Sequence, residues 1–166
     1  PIKRLAFERC FAGFPEQRGK ILAYCWSDHH TPRGEKFRYV YEQMLRRPYT
    51  AEVEAALHAQ YEAETTRQII AAPALPGAEA FLRAAARRTM TALLSTTPHD
   101  VLVRILEGRG WRQLFHIVQG APVEKAAWLR RLREAGTTDA RAIVFFGDTE
   151  EDALASQAGG CAFVQV

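Results

Sequence analysis

The sequence has no long apolar run and no leader-like start. No stretch of about 18 apolar residues occurs, and even the apolar segment Ile69 to Ala78 is interrupted by Pro73 and Pro76. The first residues lack the basic-then-apolar pattern of a secretory signal. We therefore expect no membrane association and a cytoplasmic protein.

Cysteine is scarce, and large blocks of basic charge are missing. Cys10, Cys25 and Cys161 form no CxxC pair, and an odd number of widely spaced cysteines indicates free thiols in a reducing compartment. The chain has 22 Lys and Arg residues against 19 Asp and Glu residues, a net charge of +3, and the charges are interspersed. This balance does not indicate a nucleic-acid partner.

Standard ligand-binding motifs are also missing. Neither a GxGxxG loop nor a Walker motif occurs. One segment gathers four potential metal ligands: Cys25, Asp28, His29 and His30. Their spacing matches no zinc signature, and adjacent histidines seldom bind one ion together, so we expect no metal site there.

The composition is that of a globular domain. The 166 residues are 48% hydrophobic and 25% charged, which suffices for a packed core without disulfides. The first seventy or so residues predict helices only, because apolar residues recur at helical spacing. One such stripe comprises Phe37, Val40, Tyr41, Met44 and Leu45. Thr50 is placed to cap a further helix that runs to about Ile70.

After Pro73, Pro76 and Gly77 the pattern changes to short apolar strands that alternate with helices. The predicted strands are Met90–Ser95, Phe115–Val118, Ala142–Phe146 and Cys161–Val166. Alternating strands and helices predict right-handed βαβ units and a parallel sheet, hence an α/β fold.

Ligands in such sheets bind beyond the carboxyl ends of the strands. That rule selects Ser95 with Thr96, the helix that follows Gly120, and Gly147 with Asp148. Hydroxyls and free N–H groups where a strand gives way to a helix bind phosphate well, although Ser and Thr are also ordinary helix caps there.

The other two strand ends carry a cation and a pair of carboxylates. Lys125 falls in the first turn of its predicted helix, where a cation is unfavourable unless an anion lies nearby; a solvated surface lysine is the alternative. Asp148 and Asp152 are one helical turn apart, as a Mg²⁺ site or as acidic residues at a helix start. Hydroxyls, a lysine and carboxylates together are what phosphoryl transfer requires.

Five segments of the chain resemble a known family. They are GEKFRYVYEQML (residues 34–45), LPGAEAFL (75–82), LLSTTP (93–98), PVEK (122–125) and VFFGDTEED (144–152). Over essentially its whole length the chain resembles the haloacid dehalogenase superfamily, in the branch of the phosphoglycolate phosphatases. The resemblance implies a Rossmann-like parallel-sheet core at residues 73–166 and an N-terminal helical cap at residues 1–72.

The resemblance also implies roles for the residues at the strand ends. Ser95, with Thr96 beside it, would bind the transferring phosphoryl group, and Lys125 would neutralise that group and the nucleophile. Asp148 would bind Mg²⁺, with Asp152 supporting the ion directly or at one remove. The substrate would be a small phosphorylated metabolite that the cap selects.

Three cationic residues of the predicted cap are candidate substrate contacts: Arg33, Lys36 and Arg38. We expect at least two of the three to be simply solvated, because charged residues on a helix face usually are.

The sequence departs from the family at one point. The family's nucleophile and general acid come from an Asp-x-Asp motif at the end of the first strand, whereas the aspartates of this chain are Asp28, Asp100, Asp139, Asp148 and Asp152. The missing strand is central to the family's sheet, so its loss would expose the edges of both neighbours. The strand could lie outside these 166 residues, the chain could be a truncated product, or it could be a natural degenerate homologue; we favour the first two.

We therefore predict a Mg²⁺-dependent phosphatase-type hydrolase that works through an aspartyl-phosphate, with the aspartate outside these residues and the 166-residue chain itself inactive. A phosphomutase is the alternative within the enzymes, and the metal-type carboxylates argue against a dehalogenase. The alternative from another class is a non-catalytic binding or regulatory pseudo-enzyme. The oligomeric state is not predicted.

Overall fold

The computed structural model describes residues 2–27, 31–134 and 143–166. The chain divides into two compact units, Pro1–Pro73 and Ala74–Val166. The first contains α1 (Ile2–Cys10), α2 (Arg18–Ser27), α3 (Arg33–Tyr39), a π-helical turn (Val40–Met44) and α4 (Ala51–Ala71). The second contains α5 (Ala78–Ala86), β1 (Ala92–Pro98), α6 (His99–Gly108), a 3₁₀ turn (Arg112–Leu114), β2 (Ile117–Ala121), α7 (Lys125–Glu134), β3 (Val144–Gly147), α8 (Glu150–Gly159) and β4 (Ala162–Gln165).

Aromatic side chains form the core of the helical unit. Phe7 of α1 and Phe11, directly after α1, pack edge-to-face on Phe37, and Phe7 does the same on Tyr61 of α4. Offset and edge-on ring pairs are favourable beyond the apolar area they bury. This core joins α1, α3 and α4 into one unit.

Local sequence signals set the helix boundaries of this unit. The Thr50 side chain accepts a hydrogen bond from the Val53 N–H at 3.4 Å, so the predicted cap of α4 is confirmed. The apolar stripe from Phe37 predicts one continuous helix, but the backbone widens after Tyr39, and the Leu45 N–H bonds to the Val40 carbonyl at 2.9 Å. This five-residue spacing is that of a π-helix.

The second unit has the predicted α/β architecture with parallel strands. β1 pairs with β2 and β3 pairs with β4, each pair parallel and each connected through a helix. Side chains from α6, the 3₁₀ turn and its flanks pack together on β1 and β2; they include Leu102, Leu106, Leu114 and Phe115. The α/β fold class is thus confirmed.

The two strand pairs remain separate sheets in the part of the chain that the structure describes. β1 bonds only to β2, and β3 bonds only to β4, among residues 2–27, 31–134 and 143–166. One edge of β1 and one edge of β3 therefore carry no strand partner there. Unpaired strand edges are sites where a further strand adds readily.

None of the helices that the structure describes is long and apolar enough to cross a lipid bilayer.

Candidate active site

The carboxyl ends of β1 and β3 open into one cavity of about 420 Å³ within the second unit. Its lining residues are Leu94, Ser95, Thr96, Lys125, Phe145, Phe146, Gly147, Asp148, Thr149, Glu151, Asp152 and Val166. The cavity therefore brings together Ser95, Thr96, Lys125, Asp148 and Asp152, which the sequence predicted to converge.

Ser95 lies on a bulge inside β1, which continues to Pro98, whereas the sequence predicted that the strand ends at Ser95. β1 and β2 pair regularly up to Leu94 opposite Gln119, and the register then shifts before Pro98 meets Ala121. Inside this bulge the Ser95 Oγ accepts the Thr97 N–H at 3.1 Å. The Ser95 hydroxyl thus keeps its own proton for donation towards the cavity.

Lys125 is the first residue of α7, where a cation is unfavourable on its own. Its Nζ donates to the Asp152 Oδ1 at 2.6 Å, and the two side chains are only 18% and 8% exposed. The Asp152 carboxylate thus offsets the unfavourable interaction between the lysine and the N-terminus of α7. The ammonium group is consequently held at the cavity wall in a fixed place.

Asp152 is held by its own helix as well as by Lys125. Its Oδ2 accepts the Thr149 hydroxyl at 2.7 Å, and its backbone N–H donates to the Thr149 Oγ1 at 3.1 Å, which caps α8. Burial acts to raise the pKa of Asp152, but the hydrogen bonds from Lys125 and Thr149 outweigh burial and hold that pKa below its ordinary value. Asp152 is therefore ionised at neutral pH.

Gly147 makes room for this arrangement. A Cβ at Gly147 would lie 2.4 Å from the Asp152 Cβ and 2.7 Å from its Cγ, closer than real side chains approach. The glycine that ends β3 thus allows the carboxylate of α8 to pack directly against the strand.

Two exposed carboxylates line the cavity, Asp148 and Glu151, and Asp148 is the one that directly follows β3. It is exposed, and it makes no hydrogen bond or ion pair with any residue that the structure describes. Both oxygens of Asp152, by contrast, already accept hydrogen bonds. Mg²⁺ uses one or two carboxylates together with water and phosphate oxygens. Asp148 fits that role, with Asp152 placed to support the site through Lys125 and Thr149.

Within the described residues no group of three or more His, Cys, Asp or Glu side chains is arranged to hold a metal. A hard cation bound at this cavity would therefore need further oxygen ligands, such as water or phosphate.

The three cationic candidates of the predicted cap lie in the helical unit. Lys36 is buried, 5% exposed, and its Nζ donates to the Cys25 carbonyl at 2.8 Å. Arg33 and Arg38 are exposed, with their guanidinium groups over the rings of Tyr61 (4.5 Å) and Tyr49 (5.1 Å). Their predicted substrate contacts stay predictions. The segment Asp28, His29 and His30 lies outside the described residues.

The sequence analysis missed Thr149, and it selected Gly147 only for its place at the end of a strand, not for its packing. Thr149 and Gly147 both fix Asp152, one by hydrogen bonds and the other by close packing. The signal for Thr149 was present, because a Thr followed three residues later by an acidic residue is typical of a helix N-terminus. The demand for glycine at 147 depends on the approach of α8, which no local pattern reveals.

Known structures resemble the chain over nearly its whole length. A predicted phosphoglycolate phosphatase from Haemophilus somnus shares 17% identity at a TM-score of 0.72, covering 99% of this chain and 77% of that one. A haloacid dehalogenase-superfamily hydrolase of subfamily IA from Geobacter sulfurreducens shares 18% identity at a TM-score of 0.67, covering 99% and 79%. A putative β-phosphoglucomutase from Thermotoga maritima shares 16% identity at a TM-score of 0.71, covering 97% and 75%. At such identities the likeness shows the fold.

The family follows from a separate comparison. No curated protein matches the chain. The family model of the haloacid dehalogenase-like hydrolases matches residues 11–160, most of the sequence. The resemblance found from the sequence motifs is confirmed, and the chain belongs to the haloacid dehalogenase-like hydrolases.

Proposed function

We propose that the protein is a Mg²⁺-dependent phosphatase that hydrolyses a small phosphorylated metabolite. The observation that carries the proposal is the single cavity where Ser95, Lys125 and Asp148 meet at the ends of β1 and β3. A hydroxyl donor, a fixed cation and a free carboxylate complement a phosphoryl group and its metal ion.

Lys125 and Ser95 would hold the phosphoryl group. The Lys125 ammonium is anchored on one side by Asp152 at 2.6 Å, and its remaining protons can donate to phosphate oxygens. The Ser95 hydroxyl, whose oxygen already accepts the Thr97 N–H, can donate its proton to the same group. Donors that are fixed before the substrate arrives stabilise developing charge without reorganisation.

Asp148 would hold the metal ion at the cavity mouth. Bound Mg²⁺ would offset negative charge on the phosphate oxygens during transfer. Asp152 keeps Lys125 in place. Substitution of Asp152 would therefore weaken the contact between Lys125 and phosphate, whether or not Asp152 binds the metal ion.

The nucleophile in this proposal is an aspartate on a strand outside these 166 residues. The chain contains no Asp-x-Asp pair. Residues of β1 and β3 line the cavity, and each of these strands has one edge without a partner among the described strands. A parallel strand between them would bring its carboxyl end to Ser95, Lys125 and Asp148. Its aspartate would attack phosphorus, the substrate alcohol would leave, and water would then hydrolyse the aspartyl-phosphate. The 166 residues alone are then inactive.

The helical unit, residues 1–72, would act as the cap that selects the substrate. Arg33 and Arg38 are its exposed cationic candidates for contacts with an anionic substrate, whereas the buried Lys36 would support the shape of this unit. A cytoplasmic location completes the proposal and is supported by free thiols at Cys10, Cys25 and Cys161.

A second candidate is a non-catalytic binding protein that retains the fold. The absence of an Asp-x-Asp pair from the 166 residues favours it. A phosphomutase shares the aspartyl-phosphate chemistry, and one structural neighbour carries that description. Catalytic turnover distinguishes the phosphatase from a binding protein. Transfer of the phosphoryl group to a second hydroxyl of the substrate, instead of to water, distinguishes a phosphomutase from the phosphatase.

The test is hydrolysis of p-nitrophenyl phosphate by the natural full-length protein with and without Mg²⁺. We expect Asp148→Ala and Lys125→Ala each to reduce kcat/KM at least a hundredfold, because each removes charge stabilisation from the transition state. Glu107→Ala and Arg87→Ala, which remove exposed charges of the same signs elsewhere in the second unit, serve as matched controls. Full activity in either site variant would refute the assignment; Mg²⁺-dependent phosphate binding without turnover would favour the binding protein.

A further inference from the structure

The bulge that presents Ser95 is defined at both ends by strand pairing. Between Leu94 opposite Gln119 and Pro98 opposite Ala121, β1 has three residues where β2 has only Gly120. The extra residues cannot join the regular ladder, so Ser95, Thr96 and Thr97 arch away from it. Bulges of this kind redirect side chains next to active sites, but their shape depends on what closes them.

Two contacts of Gly120 close this bulge. Its N–H donates to the Nδ1 of His99 at 3.3 Å, across from β2 to the start of α6. A Cβ at Gly120 would lie 2.5 Å from the His99 Cα and 2.6 Å from the Thr97 carbonyl oxygen, so only glycine fits there. His99, Thr97 and Gly120 form what we call the bulge clamp.

The clamp requires one form of the His99 ring. Because Nδ1 accepts the Gly120 N–H, the ring proton of the neutral imidazole lies on Nε2. Asparagine can present an acceptor oxygen at nearly the same distance from the backbone, whereas alanine presents none.

We propose that His99 is a positioning residue that holds the Ser95–Thr97 bulge in its phosphate-binding shape. The inference rests on the proposed function, because the group that it positions is the predicted phosphate donor. His99 does not line the cavity itself. It acts through Gly120, which lies between the bulge and the segment that leads from β2 to Lys125.

The other end of the same strand pair supplies a matched control. There the Thr91 N–H donates to the Nδ1 of His116 at 3.1 Å, and the Thr91 hydroxyl lies 2.9 Å from the same nitrogen, so a second histidine links the residues that directly precede β1 and β2. His116 precedes β2, at the amino end of the strands and away from the bulge. His99→Ala and His116→Ala thus each remove a ring nitrogen that accepts a backbone N–H, and His116→Ala also removes the contact with the Thr91 hydroxyl, but only His99 lies beside the bulge.

The experiment uses the isotopically labelled natural full-length protein and titrates inorganic phosphate in the presence of Mg²⁺. We expect His99→Ala to weaken phosphate binding roughly fivefold, the effect of losing about one hydrogen bond, and to speed hydrogen exchange at the Gly120 amide. His99→Asn should restore both towards wild type. His116→Ala should leave phosphate affinity within about twofold, less than half of that free-energy effect.

Equal phosphate affinity in His99→Ala and His116→Ala would overturn the proposal, as would ring-nitrogen shifts that place the His99 proton on Nδ1 in the wild type. If the wild type binds no phosphate, the proposed function fails, and the clamp is judged by amide signals alone. Changes in the amide chemical shifts of Ser95 and Thr96 in His99→Ala, but not in His116→Ala, then support the clamp. Unchanged amide shifts of Ser95 and Thr96 in His99→Ala contradict it. Should His99→Ala not fold, His99→Asn and the ring-nitrogen shifts still decide.

Discussion

Lys125 and Asp152 form a nearly buried ion pair, with the lysine Nζ 2.6 Å from the carboxylate oxygen. The pair joins the first residue of α7 to the first turn of α8, so it fixes two helices that follow different strands. One side of the lysine is thereby occupied, and the remaining side borders the cavity. Several measurable consequences depend on this one contact.

Asp152→Asn should lower the free energy of unfolding by about 1–3 kcal/mol, because it leaves Lys125 without its charged partner in a mostly buried place. Urea denaturation monitored by circular dichroism measures the loss. Glu79→Gln is the matched control, since Glu79 and Arg83 form an ion pair of the same 2.6 Å length with both side chains well exposed. Exposed pairs contribute little, so a loss in the control as large as that in Asp152→Asn would contradict the account.

The stabilising effect of Asp152 should disappear in acid. Its pKa is lowered in the folded protein from an ordinary value of 3.8, so the unfolded chain takes up the proton first as the pH falls. The contribution is therefore complete above about pH 5 and declines as the pH falls through 3.8 and then through the folded pKa. Urea titrations of wild type and Asp152→Asn should differ more at pH 7 than at pH 3. A difference that stays constant or grows in acid would show that this carboxylate is not the group responsible.

Gly147→Ala should destabilise the protein and impair the site together. The added methyl would lie 2.4 Å from the Asp152 Cβ, so α8 or Asp152 must move, and Lys125 would lose its anchor. Thermal unfolding and phosphate titration measure the two effects. Gly19→Ala in α2, where a Cβ meets nothing within 4 Å, should raise stability slightly because alanine favours helix. Wild-type phosphate affinity in Gly147→Ala would argue against the role given to this packing.

The thiols of the helical unit should react slowly in the native state. Burial raises the pKa of Cys10 to about 12 and that of Cys25 to about 11, which leaves almost no thiolate at pH 8. The half-buried Cys161, whose pKa burial also raises, should react before either of them. Iodoacetamide labelling followed by peptide mass mapping, with urea-unfolded protein as the control, tests this order. Rapid native labelling of Cys10 or Cys25 would contradict the packing of this core.

The α/β class and the family could be predicted because both rest on patterns that are local in sequence. Alternating apolar strands and helices predicted the parallel pairs, and the rule that ligands bind at the carboxyl ends of strands predicted that Ser95, Lys125 and Asp148 would meet. The unfavourable place of Lys125 at a helix start indicated a nearby anion, which is Asp152.

The features that could not be predicted depend on contacts between elements distant in sequence. The strand was expected to end at Ser95, but β1 continues to Pro98, which pairs with Ala121 beyond the bulge. The bond from Gly120 to His99 links positions 21 residues apart. The π-helical turn at Val40–Met44 likewise departs from the regular helix that the apolar stripe predicts. Propensity and periodicity carry no information on such pairings.

The central claim is that this cavity becomes a phosphatase site when a strand bearing an aspartate lies between β1 and β3. The most direct measurement compares Mg²⁺-dependent hydrolysis of p-nitrophenyl phosphate by the 166-residue chain and by the protein of natural length, whose intact mass and N-terminal sequence are determined on the same sample. The account predicts an Asp-x-Asp strand before Pro1 and activity only in the longer protein. Equal Mg²⁺-dependent activity in the 166-residue chain would contradict it, since that chain would then hold a nucleophile of its own.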